Sequence, residues 1–262
     1  MIKHLVYYSG GIGSWASAKR LAQNPEIKSM TLLFADTLIE DEDLYRFLNE
    51  SVENLKQEDC DINYVKIAEG RTPWEVFEDV KFIGNSRIDP CSRVLKREFM
   101  DKWRDEYCDP GYTTLYYGID WTETHRLERV RKRVSGWKID APMTHEPLLE
   151  KSEMLEWLID EGIEPPRLYK MGFPHNNCGG FCVKAGQAQF KLLHKNLPHR
   201  YAYHEKMENQ VAKKIGTDAR ILRDRRNKQV KPLSLTKFRE RIQDQPAMFD
   251  KFDFGGCGCA LD

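Results

Sequence analysis

The residues with the clearest chemical purpose are Ser9, Gly10, Gly11, Ile12, Gly13 and Ser14, between the apolar run LVYY at 5–8 and an alanine-rich stretch of helical density. Strand, glycine turn and helix in that order aim backbone N–H groups and the positive end of a helix dipole at an anion. The three glycines permit close backbone approach and positive φ, and Ser9 and Ser14 add hydroxyl donors. The same pattern also serves as a plain strand–helix joint, so its neighbours must carry part of the argument. The turn lacks the GK[ST] ending of a Walker A loop and the full G-x-G-x-x-G spacing of a dinucleotide fold.

Cysteines form the second chemical set. Cys178 and Cys182 flank two glycines in NNCGGFC, and Cys257 and Cys259 sit in the closing FGGCGCALD. Four thiolates in two glycine-flanked pairs suit zinc or, as the alternative, a 4Fe-4S cluster. The C-x3-C and C-x-C spacings differ from the C-x2-C of a zinc ribbon, and four protein ligands would close the site, a structural rather than catalytic arrangement. Cys91 stands with Arg93, Lys96 and Arg97 at a helix start, which attracts anions and favours a thiolate. It reads either as a reactive thiol or as a buried structural one. Cys60 and Cys108 are assigned no role.

The elements that must position these groups read as alternating strands and helices. Strands are expected at 30–35, 62–67, 114–119 and 143–148, and helices from about 40 to 58, after Thr72-Pro73, around 92–103, after 123 and over 152–161. Asp36 and Thr37 follow the second strand, where open α/β sheets place ligand contacts, although Asp36 could equally cap the next helix. Glu40, Asp41, Glu42 and Asp43 read as the solvated first turn of that helix. Ser92 is a candidate cap. The helix after Asp120-Trp121-Thr122-Glu123 carries a basic face whose Arg126 and Arg129 could reach a phosphate. The fold expected is α/β, a three-layer sandwich with a mostly parallel twisted sheet. A nucleotide-binding domain would span 1–165, and a helical cysteine-bearing region 166–262, with helices near 185–195 and 198–214. The basic stretch from Arg220 to Lys231 reads as a salt-bridged surface or a contact for a nucleic-acid backbone.

Bulk composition excludes several classes. Lys+Arg and Asp+Glu each total 41, so no polybasic nucleic-acid or membrane signature emerges. Hydrophobic content of 40% and charged content of 31% describe an ordinary soluble domain. No apolar run approaches the ~20 residues of a membrane span, and the opening MIKHLVYY leads into a strand rather than a signal peptide. Seven cysteines, an odd number, favour metal ligation or free thiols over a disulfide framework. A cytoplasmic protein is expected, without a membrane partner and compatible with a homo-oligomer.

The SGG-x-x-S turn resembles the PP-loop of the ATP pyrophosphatase superfamily. Together with FADT at 34–37, PCSRVLK at 90–96, YGIDWTETHRLER at 117–129 and the run from EPLLEKSEM to NNCGGFC at 146–182, it resembles the phosphoadenosine phosphosulfate (PAPS) reductase branch. The resemblance implies that Ser9, Gly10, Gly11 and Ser14 hold phosphates. It also implies that Asp36 and Thr37 lie beside adenosine and that Arg126 and Arg129 face the ligand's anionic end. ATP with magnesium, an adenine nucleotide and an acceptor that could be a nucleic-acid base follow as cofactor and partners. Two departures stand out. Many PP-loops carry Asp where this chain has Gly13, and the reductases' Glu-Cys-Gly-type tail is replaced by GGCGCALD. The implied activity is therefore adenylylation of a substrate with pyrophosphate release, for sulfur or nitrogen transfer. PAPS or adenylyl-sulfate reduction and a non-catalytic binding module are the alternatives.

Overall fold

The computed structural model describes residues 2–84, 88–216, 218–225, 229–244 and 253–255. The chain begins with β1 (His4–Tyr7), α1 (Ile12–Ala22), β2 (Ser29–Asp36), α2 (Glu42–Leu55) and β3 (Asp61–Ala68). It continues through α3 (Pro73–Asp79), α4 (Pro90–Ser92), a π-helical turn (Arg93–Glu98) and α5 (Phe99–Tyr107) to β4 (Thr114–Tyr117). Then come α6 (Thr124–Arg133), β5 (Lys138–Asp140) and α7 (Lys151–Asp160). All five strands run parallel, in the order β3-β2-β1-β4-β5. The chain winds outward from β1 to β3 and then returns to the other side of β1 as β4. The connections leaving β1 and β4 therefore diverge, which opens a crevice at their carboxyl ends.

Alternation along the strands builds the three layers, because successive side chains point to opposite faces. Val6, Tyr8, Leu32 and Phe34 pack with residues of α1, α2 and α7. Leu5, Tyr7, Leu33, Leu115 and Tyr117 pack with Met100 of α5 and Leu127 and Val130 of α6. Both faces are apolar because both are covered, as a parallel sheet requires. Trp15 of α1 is fully buried against this sheet, and burying one such large apolar side chain contributes about 1.5–3 kcal/mol.

A third cluster is built from α8 (Arg167–Lys170), α9 (Gln187–Asn196), α10 (Pro198–Ile215), α11 (Leu235–Asp244) and the antiparallel pair β6 (Leu222–Asp224) and β7 (Lys231–Leu233). Trp74 and Phe77 of α3 pack into it, so this region is continuous with the sheet domain. Glu208, buried on α10, accepts the backbone N–H groups of Ile221 at 3.0 Å and Leu235 at 2.8 Å, which ties both ends of the hairpin to the helix.

Three local expectations change. The fifth strand is Lys138–Asp140, and Pro142–Thr144 forms a 3-10 turn that drops Met143 into the core while Leu148 stays exposed. The acidic run is not uniformly solvated. Asp41 is the α2 cap, accepting from the Asp43 N–H at 3.0 Å and pairing with Arg167 at 2.8 Å, and Glu40 is buried ahead of the helix. Ser92 is inside a helical turn and makes no cap bond. Among the described residues no helix is long and apolar enough to cross a membrane.

Candidate functional site

The glycine turn sits at the crevice between β1 and β4. Gly10 has φ +74°, a conformation that L side chains rarely adopt. Gly13 meets β4's end so closely that a Cβ would stand 2.7 Å from the Gly118 carbonyl oxygen, and a Cβ on Gly118 would stand 2.5 Å from the Ser14 nitrogen. Any side chain at position 13, an aspartate included, would therefore have to push α1 away from the backbone that follows β4. The Ser14 hydroxyl donates to the Gly11 carbonyl at 2.8 Å, and Ser9 donates to Ser14 at 3.3 Å. Asn176 donates to the Gly10 carbonyl at 3.0 Å, bracing the turn from a segment far along the chain. Helix α1 has no side-chain cap and no acid in its first turn. Its Ile12 N–H donates to the Tyr169 hydroxyl at 3.2 Å. A helix start left without carboxylates keeps its positive end available to a ligand.

This turn forms the floor of a cleft of about 510 Å³, within the range of small-molecule sites. Asp120, Thr122, Glu123 and Arg126 supply one wall, from the end of β4 into α6. Glu150, Lys151 and Met154 at the start of α7, with Tyr169 and the segment 174–177, supply the rest. Arg126 is buried and paired with Glu123 at 2.6 Å. Lys151 lies over the Tyr169 ring, 4.6 Å from its centroid, and donates to the Pro174 carbonyl. Burial, with Lys151 and Arg126 adding to it, pushes His175 down to about 4. The Oδ1 atoms of Asn176 and Asn177 are buried with no hydrogen-bond partner among the described residues. A narrower apolar slot of about 50 Å³ adjoins the cleft, sharing Ser9 and Gly118 and lined by Tyr7, Tyr8, Phe34 and Tyr117.

The solved structures that resemble this chain include the phosphoadenylyl-sulfate (PAPS) reductase from Candida auris in its phosphate complex, 12% identical, with a TM-score of 0.45 over 66% of this chain and 79% of that one. At that distance the likeness carries no inference about activity. No family model and no curated protein matches the chain.

The structure brings Ser9, Gly11, Gly13, Ser14 and Arg126 into one cleft. Arg129 lies on the exposed face of α6. Asp36 and Thr37 are buried at the end of β2. Asp36 accepts from Tyr45 at 2.9 Å and from the Leu38 N–H at 2.9 Å, and pairs with Lys66 at 2.8 Å. Thr37 donates to Glu40 at 2.9 Å. Cys91 is half-buried against the cluster that contains Cys178 and Cys182, both of which are buried. The Cys178 N–H donates to Glu40, whose other oxygen faces Lys96 at 3.5 Å. Cys257 and Cys259 lie outside the described residues. Among the described residues no group of three or more His, Cys, Asp or Glu could hold a metal ion. Two thiols of the expected four are thus on view, and they are not a complete ligand set.

Sequence reasoning did not single out Tyr169, Lys151, His175, Asn176 or Asn177 as site residues. The signal was the polar run His175-Asn176-Asn177 between Phe173 and Cys178, in a stretch otherwise apolar.

Proposed function

We propose that this chain binds an adenine nucleotide with its phosphates on the Ser9–Ser14 turn and uses ATP to adenylylate an acceptor, releasing pyrophosphate. The observation that carries the reading is the carboxylate-free glycine turn at the point where the sheet's connections diverge, facing a cleft large enough for a nucleotide. Backbone N–H groups, the Ser9 and Ser14 hydroxyls, Arg126 and Lys151 supply donors and positive charge for the phosphates. The aromatic slot behind Ser9 is the apolar surface nearest the turn, and at about 50 Å³ it must widen to admit the base.

The expected reaction is attack of an acceptor oxygen on the α-phosphorus, with the electron pair of the breaking P–O bond leaving on pyrophosphate. Positioning and preorganised positive charge do most of such work. Of the cleft's carboxylates, Asp120, Glu123 and Glu150, the first two would hold magnesium, which would offset phosphate charge. A later displacement of AMP by a sulfur or nitrogen nucleophile, on a nucleobase or a small molecule, completes the reading. Zinc or a 4Fe-4S cluster on Cys178, Cys182, Cys257 and Cys259 belongs to the same proposal as a structural element, and no step is routed through it.

The test is product analysis. Full-length protein with MgATP and candidate acceptors should form AMP and pyrophosphate in equal amounts. Formation of ADP and phosphate, or sulfite from a sulfated nucleotide with a thiol donor, would overturn the adenylylation reading.

A further inference from the structure

The cleft holds a histidine that the phosphate cradle described above does not use. His175 lines it in the segment joining α8 to α9, beside Lys151 and Arg126. Its position is fixed on both sides. Pro174, one residue before, accepts from Lys151, and Asn176, one residue after, donates to Gly10 at 3.0 Å. The backbone on either side of His175 is therefore tied to a cation and to the glycine turn. The charged and titratable groups that line the cleft with it are Asp120, Glu123 and Arg126 from the end of β4 and α6, Glu150 and Lys151 at the start of α7, and Tyr169 from α8, of which Lys151 and Arg126 act on its charge.

In the free protein two cations act on a half-buried imidazole, and burial first, then Lys151 and Arg126, keep it uncharged at neutral pH. A polyanion on the turn reverses that balance. It offsets the field of both cations and presents oxygens that accept hydrogen bonds from an imidazolium.

We propose that His175 is a ligand-induced third cation of the cleft, taking one proton from solvent when a polyphosphate binds and donating an N–H to a phosphate oxygen. No bond to phosphorus forms or breaks in this step. The solvent proton becomes the second imidazole N–H, and it returns to solvent when the ligand leaves. The proposal rests on the nucleotide reading and adds the proton linkage to it. Because the bound histidine titrates higher than the free one, the extra affinity is present below the bound-state value and is lost as pH rises through it. If binding restores the ordinary value near 6.5, affinity is about fourfold tighter at pH 6 than at pH 8.

The experiment is calorimetric titration of full-length protein with MgATP at pH 6 and pH 8, in buffers of different ionisation enthalpy, for wild type and His175→Asn. Subtracting the variant removes protons belonging to the nucleotide. A second measurement, NMR of protein labelled at histidine, reads the ring directly and stands even if the variant folds poorly. The expected result is fractional proton uptake at pH 6 that the variant lacks, with the His175 ring neutral when free and charged when bound. Equal proton linkage in both proteins, or a ring that stays neutral in the complex, overturns this inference and leaves the nucleotide reading intact. Absence of any nucleotide binding by the wild type overturns both.

Discussion

Replacing Gly13 with alanine asks whether the turn must lie directly against β4. The added Cβ would stand 2.7 Å from the Gly118 carbonyl oxygen, where ordinary contact begins beyond about 3.4 Å. The obstacle is backbone at the end of a buried strand, so no flexible side-chain tip can swing away. Helix α1 and β4 must instead separate by several tenths of an ångström, and overpacking of this kind costs about 1–3 kcal/mol. For a chain of this size that is a fall in Tm of roughly 2–10 °C. Gly11→Ala is the matched control. Its Cβ would meet the Ser9 hydroxyl at 3.5 Å and the Tyr169 hydroxyl at 3.6 Å, ordinary contact distances. Its φ of −97° suits alanine, so stability should stay within about 0.5 kcal/mol of wild type. Because displacing α1 moves the N–H groups of the cradle, Gly13→Ala should also weaken nucleotide binding by about tenfold, or roughly 1.4 kcal/mol. Thermal unfolding by circular dichroism, paired with calorimetric titration, reads both effects. A Gly13→Ala protein as stable as Gly11→Ala would refute the close-packing argument.

Other expectations follow from the same contacts. Asn176→Ala leaves the Gly10 carbonyl without its donor, a loss of about 1–3 kcal/mol that denaturant unfolding would show. Arg126→Gln should weaken nucleotide binding by about 10–100-fold, whereas Arg129→Gln, on the exposed face of α6, should change it less than about twofold. Similar losses from both arginines would count against the cleft as the phosphate site. His204 is fully buried, accepts from Trp74 at 3.0 Å and stacks on Phe181 at 3.9 Å, and burial followed by Arg200 holds it well below its ordinary range. The unfolded chain then binds the extra proton, so stability is full above pH 6.5 and falls by up to about 1.4 kcal/mol per pH unit as pH drops below it. Urea unfolding at pH 7 and pH 5 should show a smaller fall in His204→Gln, and an unchanged fall would assign the acid sensitivity elsewhere.

The sheet and the glycine turn were legible because their signals are local. Buried parallel strands read as apolar runs, and Ser9–Ser14 announces itself by composition. The fifth strand was misplaced because Lys138–Asp140 is short and half polar, while Met143 reaches the core from a 3-10 turn. Glu40 and Asp41 looked solvated because four acids stand in a row. Their partners, the Cys178 N–H, Lys96 and Arg167, are 56 to 138 residues away and leave no local mark. Asn176 braces Gly10 across 166 residues, and Tyr169 reaches Ile12 across 157, so the far wall of the cleft depends on tertiary packing that no window of sequence displays.

The central claim is tested most directly by a crystal structure of the full chain with a non-hydrolysable ATP analogue and magnesium. The account predicts phosphate oxygens within about 3 Å of the donors on the Ser9–Ser14 turn and the base in a widened slot beside Tyr8 and Phe34. Nucleotide bound elsewhere, with the turn still bonded only to Tyr169 and Asn176, would contradict it.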